Sequence, residues 1–239
     1  MNSETRSPLK VYIIRHGETE WTLSGQHTGS TDIPLTEHGE EEATALAQLV
    51  SPIKFDHVFT SPLQRAHRTA ELALPGMNIK IEPDLEEWNY GDYEGITSED
   101  ILRTKPGWNI YRDGCPNGES PDHVCARADR LWARILDLEG NVVLVSHGQF
   151  GSILAARWIG LQALEAEHFL LDTASYSVLG FAVHHPDVPV ITHWNISATV
   201  LPGFVNKTPL PAEPEELQRW DNEGGDITVR DTTLIEIAE

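Results

Sequence analysis

Lys10-Val-Tyr-Ile-Ile14 runs straight into Arg15-His16-Gly17. An unbroken apolar run of this length is what a strand buried on both faces looks like. The basic and imidazole-bearing step after it stands where α/β proteins place their chemistry, at the carboxyl end of a strand. Downstream, Ala43, Leu46, Ala47 and Val50 recur at helical spacing behind Thr36 and the acidic turn Glu37 to Glu42, which suits a helix dipole. Val58-Phe59-Thr60 reads as a second strand. Ser61-Pro62 reads as the N-cap and first residue of a helix carrying Arg65, Arg68 and Thr69 to about Leu74. Ser120-Pro121 repeats that start ahead of an apolar stripe of Val124, Ala128, Leu131, Ile135 and Leu138. Asn141 to Ser146 is another buried strand, closed by His147-Gly148 and followed by a largely buried helix over Phe150 to Ile159. Strands over Val178 to Val183 and Val190 to Asn195 come next. This alternation predicts an α/β fold, a three-layer α/β/α arrangement around a mostly parallel central sheet.

The chain has 239 residues, 40% apolar and 23% charged, enough for one large core. Residues 1–202 are expected to form the main domain. Residues 203–239, with nine acidic against three basic side chains and prolines at 202, 209, 211 and 214, are expected to be an acidic extension. A strand at Asp226 to Val229 or at Leu234 to Ile237 is expected within it. With 37 acidic against 17 basic residues the formal charge is −20, which repels nucleic acid and anionic membrane, and no Lys/Arg run offsets it. The apolar runs are strand-sized and Met1 to Lys10 is polar, so a membrane or exported protein is not expected. Two cysteines, Cys115 and Cys125, fit a reducing compartment better than a disulfide framework. The expectation is a cytoplasmic protein without nucleic-acid or membrane partners; whether it forms a homo-oligomer stays open.

His16 and His147 both end apolar strands, so two imidazoles far apart in sequence can meet at one sheet edge. Arg15 precedes the first, and Arg65 lies in the first turn of the helix behind a third strand. Two guanidiniums with two imidazoles make an oxyanion pocket, because planar Arg forks bind phosphate oxygens in pairs. Arg68, three residues from Arg65, is the alternative clamp. His184-His185-Pro186-Asp187 with His193 hints at metal, but adjacent histidines at a strand end point opposite ways, so no metal site is expected.

Arg15-His16-Gly17-Glu18-Thr19-Glu20-Trp21, Thr28-Gly29, Ser61-Pro62-Leu63-Gln64-Arg65-Ala66, Glu87-Trp88-Asn89-Tyr90-Gly91 and Ser146-His147-Gly148 occur in that order. Together they resemble the histidine phosphatase superfamily, the phosphoglycerate mutase-like proteins, over roughly residues 10 to 200. Trp88 to Gly95, Trp108 to Cys115 and Asn117 to Ser120 look most like its sedoheptulose-1,7-bisphosphatase branch. The resemblance implies a phosphatase acting on a small phosphorylated metabolite, a sugar phosphate or bisphosphate, without metal or cofactor. His16 would be the nucleophile, forming a phosphohistidine from a neutral imidazole held in one tautomer. Gly17 would leave room for the phosphate, its N–H orienting the ring. Arg15, Arg65 and His147 would hold the equatorial oxygens. Glu87 would protonate the leaving oxygen and then activate water, which calls for a raised pKa. Thr22, Thr28, Gly29, Tyr90, Arg112 and Gln149 are the expected substrate contacts, and Trp108, Tyr111 and Arg112 in the Thr97 to Ser120 insert would face a polyol.

Glu86 beside Glu87 is an ordinary solvated acid, and only Glu87 has the Glu-x-x-Tyr-Gly spacing. A mutase is the competing enzyme reading, but Thr22 follows Trp21 where mutases of the family carry Asn, and Arg112 lacks an Arg neighbour. A non-catalytic phospho-ligand module would have no need of both His16 and Glu87.

Overall fold

The computed structural model describes residues 8–198. Strand β1 (Lys10–Arg15) sends Val11 and Ile13 to one face and Tyr12 and Ile14 to the other, and all four are buried. The elements that follow are α1 (Glu20–Ser24), α2 (Glu37–Val50), β2 (His57–Thr60), α3 (Gln64–Ala73), β3 (Ile79–Ile81), α4 (Ser98–Thr104), α5 (Ile110–Asp113), α6 (Pro121–Ile135), β4 (Asn141–Ser146), α7 (Gly148–Trp158), β5 (Tyr176–Ala182) and β6 (His185–Ile196). The sheet order is β3-β2-β4-β1-β5-β6. The first four are mutually parallel, while β5 and β6 are antiparallel to their neighbours.

Each face of the sheet has its own core. Val11, Ile13, Val142 and Leu144 pack with Val124, Ala128, Leu131 and Ile135 of α6 and with Phe150, Ile153 and Leu154 of α7. Tyr12, Ile14, Val58, Val143 and Val145 pack with Leu46 and Val50 of α2 and Ala66, Ala70 and Ala73 of α3. This is the three-layer arrangement, and burial on both faces is why the central strands are continuously apolar in sequence. β1 and β4 run in register from Lys10 opposite Asn141 to Arg15 opposite Ser146. The chain leaves β1 toward β2 on one side and leaves β4 toward β5 on the other, so the cleft past their carboxyl ends is the topological switch point.

Thr36 caps α2, its Oγ1 accepting from Gly39 N–H at 3.0 Å, and Ser120 caps α6 in the same way through His123 N–H. Ser61-Pro62 behaves differently. Helix α3 begins only at Gln64 behind Leu63, which makes no side-chain cap, and the Ser61 hydroxyl reaches His147. Helices α1, α4 and α5 and strand β3 had no clear periodic signal; they run from three to seven residues, too short to display one. The division at residue 202 and the strands expected at Asp226 to Val229 or Leu234 to Ile237 lie outside the described residues. Among those described, no helix is long and apolar enough to cross a membrane.

The β1 exit loop crosses the start of α2 at two glycines. A Cβ on Gly17 would sit 2.4 Å from Gly39 O, and one on Gly39 would sit 2.2 Å from Glu18 O. Both obstacles are main chain and cannot swing aside. In an open helix Gly39→Ala would gain about 1 kcal/mol in propensity. Here the clash should prevail and destabilise the protein by about 1–3 kcal/mol. A fall in the denaturant midpoint with an unchanged m-value is expected, and a midpoint at or above wild type would show that the loop is not pressed against the helix.

Candidate active site

The carboxyl ends of three adjacent strands supply the site. His16 N–H donates to Ser146 O at 3.0 Å and Ser61 N–H to Val145 O at 2.9 Å, which locks the exits of β1, β2 and β4 together. The His16 and His147 rings then lie 5.2 Å apart between centroids, at 65°.

His16 Nδ1 is 2.7 Å from Gly17 O. A carbonyl only accepts, so Nδ1 carries the ring proton and Nε2 keeps its lone pair. Burial, then Arg65, then Arg15, hold its pKa well below the usual 6.5, so the ring is neutral. Gly17 differs from expectation in two respects. Its carbonyl orients the ring while its N–H donates to Thr69 Oγ1 at 3.0 Å, and the space a side chain would take is filled by Gly39. An N–H aimed at Nδ1 would have put the proton on Nε2 and removed the nucleophilic lone pair.

Arg65 is fully buried (0% exposed). Its Nη1 donates to Thr31 O at 2.9 Å, and its Nη2 to Thr28 O at 3.1 Å and Gly29 O at 2.9 Å, while Nε is buried without a protein partner. Burial lowers its pKa to about 10, so it remains a cation at neutral pH. Thr28 and Gly29 thus meet the site through carbonyls that hold Arg65. Arg68 is half-exposed and paired with Glu40 at 2.7 Å and Glu71 at 3.2 Å, outside this cluster. Arg15 donates through Nη1 to Leu171 O and runs beside Gly148 at the start of α7, where a Cβ would come within 3.4 Å of its Cζ.

His147 is the N-cap residue of α7, with Nε2 2.8 Å from Ser61 Oγ and Nδ1 buried without a protein partner. Ser61 Oγ already accepts from Leu63 N–H at 3.3 Å. If Nε2 were the donor, the Ser61 proton and the Nδ1 lone pair would both be orphaned. Ser61 therefore donates to Nε2, and Nδ1–H is left for an anion. Burial, with Arg65 next, keeps this ring neutral too. Ser61 is the site residue that sequence reasoning missed, since Ser before Pro reads as a cap.

Glu87 closes the cluster, its carboxylate held by main-chain N–H groups at the start of α7. Its Oε1 accepts from Trp88 N–H and Phe150 N–H, both at 2.8 Å, and its Oε2 from Gln149 N–H at 3.1 Å. Burial raises its pKa, outweighing these N–H donors and Arg65. Gln149 contributes by its main chain. Tyr111 is buried, its hydroxyl on Ser152 and within the fields of Glu87 and Arg15. The structure places other expected contacts elsewhere. Thr22 Oγ1 is taken up in the α1 capping box with Thr19, and Tyr90 is buried in a stack on His27 at 4.4 Å. Trp108 is buried, with Nε1 on Gly114 O, and the exposed Arg112 pairs with Asp113 at 2.9 Å and Gly107 O. Among the described residues no group of three or more His, Cys, Asp or Glu side chains is arranged to hold a metal ion.

The family model for the histidine phosphatase superfamily (branch 1) matches residues 11–197. The acid phosphatase of Mycobacterium tuberculosis is 38% identical over 177 residues, covering 72% of this chain and 86% of that protein. The sedoheptulose 1,7-bisphosphatase of Saccharomyces cerevisiae is 32% identical over 246 residues, covering 76% and 91%. The solved structure of the open reading frame Rv3214 product of Mycobacterium tuberculosis superposes with a TM-score of 0.74 at 35% identity, covering 79% of this chain and 97% of that one. The chain belongs to the histidine phosphatase superfamily, branch 1, and is a phosphatase.

The buried neutral rings have a pH signature with a definite sign. His16 and His147 stay unprotonated below pH 6.5, and His27, buried under Tyr90, titrates at about 3. Their folded pKa values lie below the unfolded one, so the unfolded chain takes up protons first as pH falls. The stability these rings contribute should be complete above about pH 6.5 and decline below it, by up to ~1.4 kcal/mol per pH unit for each ring. In an NMR titration from about pH 7.5 to about 5.5, the resonances that vanish in His16→Ala should not move. A titration step for His16 at or above 6.5 would contradict the buried, neutral ring.

Proposed function

We propose that the enzyme hydrolyses a small phosphorylated metabolite, a sugar phosphate or sugar bisphosphate, through a phosphohistidine on His16 Nε2. The observation that carries this reading is the contact of His16 Nδ1 with Gly17 O, which leaves a neutral ring with its lone pair on Nε2 in the field of two buried guanidiniums. In the first step that lone pair forms the N–P bond while the P–O bond to the alcohol breaks, and Glu87 gives its proton to the departing oxygen. In the second, water attacks phosphorus, the Glu87 carboxylate takes its proton, and the N–P electrons return to the ring. Arg15, Arg65 and His147 Nδ1–H hold the equatorial oxygens, whose charge they stabilise without a metal. The acid requires a carboxyl that is protonated at working pH, and the raised pKa of buried Glu87 fits.

A sugar substrate is favoured by the activity of the yeast relative, a sedoheptulose 1,7-bisphosphatase. Against a mutase stand the capping role of Thr22 and the Asp113 pairing of Arg112, which leave neither to bind a substrate carboxylate. We assign residues 1–202 to the catalytic domain and 203–239 to an acidic extension; the family match over 11–197 supports the first part. The free Cys115 and Cys125 fit a cytoplasmic enzyme, and the net charge of −20 fits small-molecule rather than nucleic-acid or membrane partners.

His16→Ala should cut turnover by ~10³-fold or more with the fold intact, and an acid-labile phosphoryl adduct should be trapped on wild type. Retention of a tenth of the activity would refute the nucleophile. Activity should also survive chelator, and a loss restored by a divalent ion would refute charge stabilisation by Arg15, Arg65 and His147.

The acid is tested by its leaving group. Glu87→Gln should slow single-turnover phosphorylation of His16 by a sugar phosphate by ~10²- to 10⁴-fold, and by nitrophenyl phosphate far less. Glu86→Gln should do little to either. Equal losses on both substrates would mean that Glu87 is not the acid.

A further inference from the structure

Arg127 on α6 is buried beneath the segment that carries Glu87, and all five of its donors are committed. Nε donates to Glu119 Oε1 at 2.9 Å and Nη2 to Glu119 Oε2 at 2.7 Å, a bidentate fork. The rest go to main chain: Nη1 to Asp84 O at 3.1 Å and Glu86 O at 2.6 Å, and Nη2 to Glu87 O at 3.1 Å. Glu119 grips the same segment from the other side. Its Oε2 also accepts from Asn89 N–H at 2.9 Å, its N–H donates to Asn89 O at 2.8 Å, and its carbonyl accepts from Trp88 Nε1 at 3.0 Å. The guanidinium further lies 4.0 Å over the Phe150 ring, and Phe150 N–H is one of the two donors on Glu87 Oε1.

Residues 86–90 belong to no helix or strand, so no ladder of hydrogen bonds places Glu87. Arg127 and Glu119 supply that placement: one holds the main chain up to the carboxyl-bearing residue, the other the two residues after it. Arg130 and Arg134, by contrast, make half-exposed pairs with Asp84 and Glu82, of the kind that contribute little. A buried ion pair gains little stability over well-packed apolar side chains, so a fork spread across three carbonyls of an irregular loop is better accounted for by geometry than by stability.

We infer that Arg127 and Glu119 are positioning residues for the general acid, acting through the main chain of Glu87 and through Phe150; this rests on the reading of Glu87 as the acid. A displacement on the order of 1 Å at a reacting group costs about 10²-fold in rate, and the loss should fall on the proton transfer rather than on phosphoryl binding by Arg15, Arg65 and His147. Lysine at 127 keeps the charge but cannot span Glu119 and three carbonyls at once.

The test is single-turnover phosphorylation of His16 by phenyl phosphate, a poor leaving group, against nitrophenyl phosphate, a good one. Arg127→Lys should slow the first by ~10- to 10²-fold and the second by less than about threefold. Glu119→Gln, which keeps one acceptor, should show the same contrast at smaller size. Combined with Glu87→Gln, neither should add a further loss on phenyl phosphate. Equal losses on both substrates, a wild-type rate on phenyl phosphate, or losses that add to Glu87→Gln would each overturn the inference. If Arg127→Lys does not fold, Glu119→Gln decides by the same criteria. Should Glu87→Gln itself show no leaving-group contrast, the acid assignment fails first and this inference falls with it.

Discussion

The structure turns on a guanidinium with no access to solvent whose hydrogen bonds go to carbonyl oxygens. Arg65 donates to Thr28, Gly29 and Thr31, and those three carbonyls bring the loop after α1 against the start of α3. Carbonyl dipoles satisfy the donors without cancelling the charge, as a carboxylate in the same place would. The field that remains acts on both site histidines, where after burial it is the largest influence holding each neutral. The loop is held in turn by Glu94, whose Oε1 accepts from Gly29 N–H at 2.7 Å and Thr31 N–H at 2.9 Å.

Burial drives Glu87 and the two histidines in opposite directions. It lowers the histidines and raises Glu87, because in each case it disfavours the charged form. One desolvated cleft therefore holds a neutral ring with a free lone pair and a carboxyl disposed to keep its proton, the combination that a two-step phosphoryl transfer asks for. Opposing this on the Glu87 side are three main-chain N–H groups, two of them from the first turn of α7. Oε2, with one donor against two on Oε1, is the oxygen with room for the proton.

The two halves of the cluster are built by different means. His16, Arg15, Ser61 and His147 ride on ends of strands whose register is set by the ladder from Lys10 opposite Asn141 to Arg15 opposite Ser146. Glu87 has no such support and depends on side chains from α6 and from the insert that ends at Ser120. Glu119, the penultimate residue of that insert, holds the Glu87 loop through Trp88 and Asn89, so changes in the insert reach Glu87 more directly than Arg15, Arg65 and His147.

The layered fold and the meeting of the two histidines are legible in the hydropathy pattern alone. Val11 to Ile14 and Val142 to Val145 are unbroken apolar runs because both sheet faces are covered, and a strand end at a switch point is a place, not a contact, so hydropathy alone locates it. Thr36 and Ser120 were legible as caps because capping is local, settled within three residues. What needed tertiary structure was every choice between competing partners. Ser61 donates to His147 across 2.8 Å; Gly17 yields its space to Gly39 and orients His16 by its carbonyl; Tyr90 stacks on His27; Thr22 closes the capping box of α1. Each of these is a preference between two hydrogen bonds or two packing partners of similar strength. Which one prevails depends on which atoms the fold brings within about 3 Å, and a linear pattern carries no record of that distance.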